Sequence, residues 1–173
     1  MEALECIKTR TSVRRYRKDR EISDKDLKEI LEAAIAAPSS GNSQDWEFII
    51  VKNAETKRSL AEAALGQGFI EDAPVVIVVC CNYQRNFYGE RGKYLYSIQN
   101  SAAAIENLML AAWDKGIGSC WVGAFNERMV RDILIIPDNA RPLAIITLGY
   151  PEGEVKKPER LPLDAVIHWE KYG

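Results

Sequence analysis

The chain has 173 residues, 47% of them hydrophobic and 28% charged, with a formal net charge of −2. This length and composition are typical of a folded globular protein, so disordered and fibrous classes are excluded and residues 1–173 are expected to form a single domain. The small net charge argues against binding a polyanion over the whole surface. Basic residues are instead concentrated at the N-terminus, where seven of the first 20 residues are Lys or Arg.

The four cysteines lack the paired spacing of zinc ligands or of a disulfide framework. No apolar run approaches the roughly 20 residues needed to cross a bilayer, and the N-terminus lacks the apolar core of a signal peptide. We therefore expect a cytoplasmic protein without a metal site and without membrane contact.

Helices and strands are predicted in turn along the chain. Ser23 and Asp26 have the capping-box arrangement ahead of an apolar helical face, which predicts a helix over 24–36 that ends before Pro38. The later predicted elements are a strand at 46–51, a helix at 53–65 capped by Asn53, a strand at 74–81, a helix at 97–115, a strand at 119–125, a short helix from Asn126 to about Leu134 and a strand at 142–150. The lack of strict βαβ alternation favours an α+β fold, and residues 83–96 form the longest stretch predicted to be irregular.

The stretch Arg10-Thr11-Ser12-Val13-Arg14 is a candidate anion site. If it is extended, Arg10, Ser12 and Arg14 point to one side, and two guanidiniums flanking a hydroxyl suit a phosphate or another small anion. A solvated basic turn is the alternative interpretation. Nucleic acid is disfavoured as a partner because only Tyr16 interleaves the basic run with an aromatic ring.

Two further stretches are candidates for holding a planar ligand. The loop at 38–44, PSSGNSQ, offers backbone amides and Asn42 for the edge of a heterocycle, although a plain turn would have the same composition. The glycines of 116–123, GIGSCWVG, precede a strand and so do not form the dinucleotide-binding fingerprint.

No side chain is predicted to be catalytic. The only histidine, His168, lies beside Trp169 near the C-terminus, where a packing or interface role is the expectation, and no Ser or Cys stands in a recognisable nucleophile setting. If the protein is an enzyme, a cofactor is expected to supply the reactivity.

Five blocks in this order resemble the FMN-dependent nitroreductase family of flavin oxidoreductases. They are RTSVRRY (10–16), LEAAIAAPSSGNSQDWEFIIV (31–51), NLMLAAWDKGIGSCWVGAF (107–125), LAIITLGYPEG (143–153) and KKPERLPLDAVIHW (156–169). The resemblance implies an α+β nitroreductase-like fold, with a central, mainly antiparallel sheet flanked by helices and a C-terminal arm exchanged with the partner subunit. It also implies a homodimer that binds FMN at the subunit interface.

The resemblance assigns roles to residues at matching positions. Arg10, Thr11 and Ser12, with Arg160, are expected to bind the FMN phosphate. Arg14 is expected beside the pyrimidine edge of the flavin. The remaining cofactor-binding residues implied are Pro38, Ser39, Ser40 and Asn42 from the second subunit, and Val122, Gly123 and Ala124 near flavin N5.

The implied activity is ping-pong hydride transfer from NADH or NADPH, through flavin N5, to a nitroaromatic, quinone or similar small acceptor. Two alternatives remain open: another FMN reaction on the same scaffold, such as reductive dehalogenation or flavin fragmentation, and a non-catalytic flavin-binding protein. Asp45 departs from the family, in which many members have Pro, and this difference concerns the conformation of the loop before it. Residues 66–96 match the family poorly, so the resemblance does not define the acceptor.

Residues 83–96 are hypothesised to form a mobile flap over the flavin. The segment contains Tyr83, Phe87, Tyr88, Arg91 and Tyr94, whose rings and positive charge suit a planar, anionic acceptor. An ordinary surface loop or interface patch is the alternative.

Overall fold

The computed structural model describes residues 1–172 and has an α+β architecture built on one sheet. The strands are β1 (Trp46–Val51), β2 (Val75–Asn82), β3 (Gly118–Val122) and β4 (Ala140–Gly149). They lie in the order β1-β2-β4-β3, and every neighbouring pair is antiparallel. Ile77 of β2, for example, lies opposite Ile50 of β1 and Ile146 of β4. Gly173, the last residue of the expected domain, lies outside the described residues.

Helices cover both faces of the sheet. They are α1 (Ala3–Thr9), α2 (Asp24–Ile35), α3 (Ala54–Ala63), α4 (Phe69–Asp72), α5 (Gly89–Arg91), α6 (Ser97–Asp114) and α7 (Glu127–Leu134). A 3₁₀ turn at Tyr83–Arg85 and a π-helical stretch at Gly92–Tyr96 precede α6. None of the helices within residues 1–172 is long and apolar enough to cross a membrane.

The core consists of two apolar layers separated by the sheet, because successive residues of a strand point to opposite faces. On one face Ile77 and Val79 pack with Leu108 of α6. On the other face Val78 packs with Leu60 of α3. Strand β2 is buried on both faces along nearly its whole length, which explains its unbroken apolar sequence.

The predicted helix caps are confirmed. The side chains of Ser23, Asn53 and Asn126 accept hydrogen bonds from backbone N–H groups three residues later, at 3.0, 2.9 and 3.1 Å. Helices α1 and α4 were not predicted because both are short, and in α1 only Cys6 is buried, which leaves no apolar periodicity to read.

The prediction that residues 83–96 are irregular was wrong. Asn82 caps the first turn by accepting from the Gln84 N–H at 3.1 Å, and helical turns at 83–85, 89–91 and 92–96 then lead directly into α6. Two glycines at 89 and 92 and several aromatic residues concealed this helical tendency in the sequence.

The C-terminal arm, defined here as residues 158–172, lies on the protein surface. The chain just before it is attached to the body, because Tyr16 pairs with Pro151 and the Glu152 N–H donates to the Arg15 carbonyl at 3.0 Å. Every residue of the arm is exposed, including its apolar side chains Leu161, Leu163, Val166, Ile167, Trp169 and Tyr172. The ring of His168 stacks on that of Tyr172, with centroids 4.4 Å apart.

Candidate functional site

The N-terminal basic segment lies extended along the free edge of β3. Ser12 pairs with Ser119 in parallel, and the Val13 N–H donates to the Ser119 carbonyl at 2.8 Å. Val13 is buried so closely against β3 that a Cβ at Gly118 would lie 2.5 Å from its side chain, and only glycine fits there. Thr11 is buried on the same side, whereas Ser12 and Arg14 point to the opposite, exposed side.

This segment, residues 156–157 and the start of the C-terminal arm line a cationic cavity of about 410 Å³. The cavity is lined by Arg10, Thr11, Ser12, Arg14, Lys156, Lys157, Pro158 and Arg160. The Lys157 ammonium donates to the Lys8 carbonyl, which attaches the chain just before the arm to the end of α1, close to Arg10. The structure therefore brings together five cations from opposite ends of the sequence, which is an arrangement that attracts a multiply charged anion.

Arg10 carries an unpaired donor in this cavity. Its Nε lies 3.4 Å from a Glu106 carboxylate oxygen, but its Nη1 is buried and has no hydrogen-bond partner. The hydroxyl of Ser119, the residue paired with Ser12, is likewise buried without a partner. A buried donor without an acceptor is costly, so Arg10, which lines the cavity, fits a ligand that supplies oxygen atoms, as a phosphate does, whereas Ser119 does not line it.

Arg14 lies farther along the same edge of β3. Its guanidinium lies 5.8 Å from the ring centroid of Phe69, and its charge is close enough to Cys120 to lower the pKa of that thiol. Burial has the larger, opposite effect and raises the pKa of Cys120 overall. Burial therefore favours the neutral form of this thiol.

Gly123 opens into a second cavity, of about 260 Å³, beyond the end of β3. A Cβ built at Gly123 would meet nothing within 4 Å, so a planar group has room to approach its backbone. Val122 is buried and Ala124 is exposed on either side of it. Trp121 and Ser101 line the same cavity, and the buried Ser101 hydroxyl has no partner.

Sequence reasoning missed Trp121 and Ser101 as candidate site residues. Trp121 lies two residues before Gly123 within the strand predicted over 119–125, so the period of two was a usable signal for a shared face, although β3 itself ends at Val122. Ser101 lies within a helix, and nothing in the sequence marked its hydroxyl as facing a cavity.

An ion pair lines the far side of this second cavity. Arg141 at the start of β4 donates to both carboxylate oxygens of Glu127, with Nε at 3.0 Å from Oε2 and Nη2 at 2.5 Å from Oε1. The hydrogen bond from Arg141 lowers the pKa of Glu127. Because the pair is bidentate and partly buried, it forms a rigid polar wall.

The loop at 38–44 is not among the residues that line either cavity, so the structure does not bring Pro38, Ser39, Ser40 or Asn42 to Arg10 or Gly123 within one chain. The loop has a defined shape. Its backbone φ is positive at Gly41, Asn42 and Gln44, with values of 54, 56 and 47°. Asn100 of α6 accepts from the Ser40 N–H at 2.9 Å and donates to the Ser40 hydroxyl at 3.1 Å, which fixes the loop on the helix.

Asp45, directly after this loop, is fully buried and accepts three side-chain hydrogen bonds. Its donors are Asn86 Nδ2 at 3.0 Å, Asn100 Nδ2 at 2.8 Å and the Ser97 hydroxyl. Burial by itself would raise the pKa of Asp45, but the three donors outweigh it and hold the pKa below its ordinary value. Asp45, which departs from the family, is thus connected through Asn100 to Ser40, a predicted site residue.

The segment 83–96 packs against the loop at 38–44. A Cβ at Gly41 would lie 2.3 Å from the Tyr88 hydroxyl oxygen and 2.9 Å from the Phe87 ring, so these two aromatic residues cover the loop directly. Tyr88 also meets the ring of Tyr96 edge-on, with centroids 5.6 Å apart. Tyr94 is about half exposed, and the Lys93 ammonium lies 5.0 Å from the centroid of its ring.

We expect Asp45→Asn to lower the free energy of unfolding by about 2 kcal/mol at neutral pH, because an amide cannot accept from three donors at once. The folded-state pKa of Asp45 is lowered, so the ionised carboxylate stabilises the fold fully above the unfolded-state pKa of about 4. This stabilisation is lost as the pH falls through the folded-state pKa. Urea unfolding of wild type and variant at about pH 7 and about pH 3 measures it. An equal difference at both pH values would contradict this role.

Comparison with known proteins shows the family of the chain. The model of the nitroreductase family matches residues 7–68 and 63–150. A protein of Archaeoglobus fulgidus, provisionally named NADH dehydrogenase/NAD(P)H nitroreductase, is 41% identical over 99% of this chain and 99% of its own. The FMN reductase [NAD(P)H] of Bacillus subtilis is 31% identical over 99% of this chain and 74% of its own length.

A solved structure supports the same family assignment. The NADPH:FMN oxidoreductase from Vibrio harveyi, determined in complex with NAD⁺, aligns with a TM-score of 0.92 and 27% identity, covering 99% of this chain and 78% of that one. The chain therefore belongs to the nitroreductase family, has the nitroreductase fold and is an oxidoreductase.

Proposed function

We propose that this protein is a homodimeric, NAD(P)H-dependent FMN oxidoreductase that reduces nitroaromatics, quinones or similar small acceptors by a ping-pong mechanism. The observation that carries the proposal is the cationic cavity, in which Arg10 has a buried donor without an acceptor. The relatives named as FMN reductase and as NADPH:FMN oxidoreductase support the choice of flavin and nicotinamide.

In this proposal the cationic cavity binds the FMN phosphate. Arg10, Thr11, Ser12 and Arg160 supply the guanidinium, hydroxyl and backbone donors for its oxygens. A phosphate would give Arg10 Nη1 the acceptor that it lacks, and the positive charge of Lys156 and Lys157 would balance the dianion.

Val122, Gly123 and Ala124 are proposed to hold the flavin ring. Val122 ends β3, three residues and about 10 Å along the strand from Ser119, and Gly123 and Ala124 follow directly after the strand. We add Trp121 to the predicted FMN-binding residues because its partly exposed side chain lines the same cavity as Gly123. Pro38, Ser39, Ser40 and Asn42 are proposed to come from the second subunit, because within one chain they line neither cavity.

FMN, when bound, supplies the hydride chemistry by accepting a hydride from reduced nicotinamide and passing it to the acceptor. The protein's own residues would position the reacting molecules and exclude others from the site. The fixed shape of the 38–44 loop and the rigid Glu127–Arg141 pair would limit which planar molecules reach Gly123. The four buried free thiols suit a reducing cytoplasm, which is the proposed location.

Arg14→Gln is expected to lower the reduction potential of bound FMN by about 30 mV or more, the equivalent of about 1.4 kcal/mol for two electrons. A fixed cation beside the flavin ring stabilises the redox form of the flavin that carries more negative charge, and the Gln variant removes this cation. Spectroelectrochemical titration measures the potential. Arg15→Gln, next in sequence but not among the cavity-lining residues, is the control, and an unchanged potential in Arg14→Gln would rule out the role.

Anaerobic spectroscopy tests the proposed reaction itself. Adding NADH or NADPH to the FMN-loaded protein should bleach the flavin absorption, and a quinone or nitroaromatic should then restore it. Bound flavin that neither nicotinamide reduces would instead support the non-catalytic flavin-binding alternative.

A further inference from the structure

The carboxylate of Asp45 lies between the loop that the proposed function places at the flavin and the segment that the sequence suggested as a flap over it. On one side is the loop at 38–44, which Asn100 fixes to α6 while also donating to Asp45 at 2.8 Å. On the other side is the segment at 83–96, whose Asn86 donates to Asp45 at 3.0 Å. No role in the family's cofactor binding was expected for Asp45.

We propose that Asp45 is a positioning residue that fastens the 83–96 segment to the 38–44 loop, so that the two segments cover the flavin and its acceptor as one unit. This inference rests on the proposed function for the identity of the ligand. The connection between the segments is a property of the chain alone.

The chemistry of the three donors requires an ionised carboxylate. Asn86, Asn100 and Ser97 all donate to Asp45, and Asp45 is fully buried, so water cannot replace a lost acceptor. A carboxylate has four lone-pair sites and no donor, whereas an amide would turn an N–H toward at least one of these donors. The network is therefore specific for Asp at this position.

Asn86 transmits the restraint to the rest of its segment. Its Oδ1 accepts from the Tyr88 N–H at 3.1 Å while its Nδ2 donates to Asp45. A Cβ at Gly92 would lie 1.9 Å from the same Oδ1, so the backbone at residue 92 packs directly on the Asn86 amide. Freeing Asn86 would thus loosen both the 86–88 turn and the start of the π-helical stretch.

A second contact also joins the 83–96 segment to the 38–44 loop. The Phe87 and Tyr88 rings pack on Gly41, in the middle of the 38–44 loop. Motion of the 83–96 segment away from the body would have to break this packing together with the Asn86–Asp45 hydrogen bond. The segment that the sequence suggested as a mobile flap is thereby tied to the loop by two separate contacts.

Hydrogen–deuterium exchange of the flavin-free protein tests the connection. In Asp45→Asn, exchange at 38–44 and at 83–92 should both rise by about tenfold or more, while exchange at 75–81 in the buried strand β2 reports the loss of global stability expected for this variant. Glu47→Gln is the matched control, because Glu47 pairs with Arg85 of the same segment at 2.6 Å but in an exposed setting. It should change exchange much less. Unchanged exchange in either segment of Asp45→Asn would overturn the proposal.

A second variant decides the question if Asp45→Asn does not fold. Asn86→Ala leaves Asp45 with two donors and should raise exchange at 83–92 more than at 38–44. Wild-type exchange at 83–92 in this variant would overturn the proposal.

Adding FMN separates this inference from the proposed function. FMN should slow exchange at both segments in wild type, and in Asp45→Asn it should no longer protect 83–92. Protection of 83–92 by FMN in Asp45→Asn as strong as in wild type would overturn the connection. If FMN changes nothing in wild type, the proposed function fails, and the flavin-free comparison still decides whether Asp45 joins the segments.

Discussion

Arg10→Gln should weaken FMN binding about 100-fold while leaving the fold intact. A charge-assisted hydrogen bond from a guanidinium to a phosphate is worth about 1.5 to 3 kcal/mol, and Arg10 has a buried Nη1 with no other acceptor. The guanidinium is also largely buried, so solvent screens its charge only weakly. Titration of the flavin-free protein with FMN, followed by quenching of flavin fluorescence, measures the change.

The basic run at the N-terminus supplies a control for this prediction. Arg20 belongs to the same run, but its guanidinium lies over the Tyr150 ring at 3.5 Å and lines a different cavity. Arg20→Gln should leave FMN affinity within about twofold of wild type. Equal losses in the two variants would mean that general basicity, and not the cavity at Arg10, attracts the ligand.

Ending the chain after Lys157 should abolish both the dimer and FMN binding. The removed arm exposes Leu161, Leu163 and Trp169 to solvent in the single chain, a degree of apolar exposure expected of a segment that packs on another subunit. Its removal also deletes Arg160 from the cationic cavity. Sedimentation velocity and FMN titration of the truncated protein measure the two losses.

Arg160→Gln separates the two contributions of the arm. This variant keeps every apolar side chain of the arm, so it should remain dimeric and bind FMN about tenfold more weakly. A truncated protein that is still dimeric and still takes up FMN would contradict both the proposed arm exchange and the proposed role of Arg160.

The order of helices and strands could be predicted because the signals were local. Strand β2 is an unbroken apolar run, and Ser23, Asn53 and Asn126 cap their helices with their own side chains. For residues 10–14 the sequence left an extended segment and a basic turn open, and the structure has the alternation of an extended segment, with Thr11 and Val13 buried and Ser12 and Arg14 exposed. Each of these features depends on residues close together in the sequence.

The arrangement around Asp45 could not be predicted because its partners are distant in the sequence. Asn86 and Asn100 lie 41 and 55 residues away, and amide side chains carry no periodicity that would mark them as partners of a buried carboxylate. The same applies to Arg10, whose cavity is completed by residues 156–160. The resemblance supplied that pairing, and the structure adds the contacts that hold the two ends together.

Reconstitution with FMN tests the central claim most directly. The purified protein, freed of any flavin, should bind one FMN per chain with a dissociation constant below about 1 µM, turn yellow and lose this binding in Arg10→Gln. A protein that stays colourless in excess FMN, although it is folded and has its arm intact, would contradict the account.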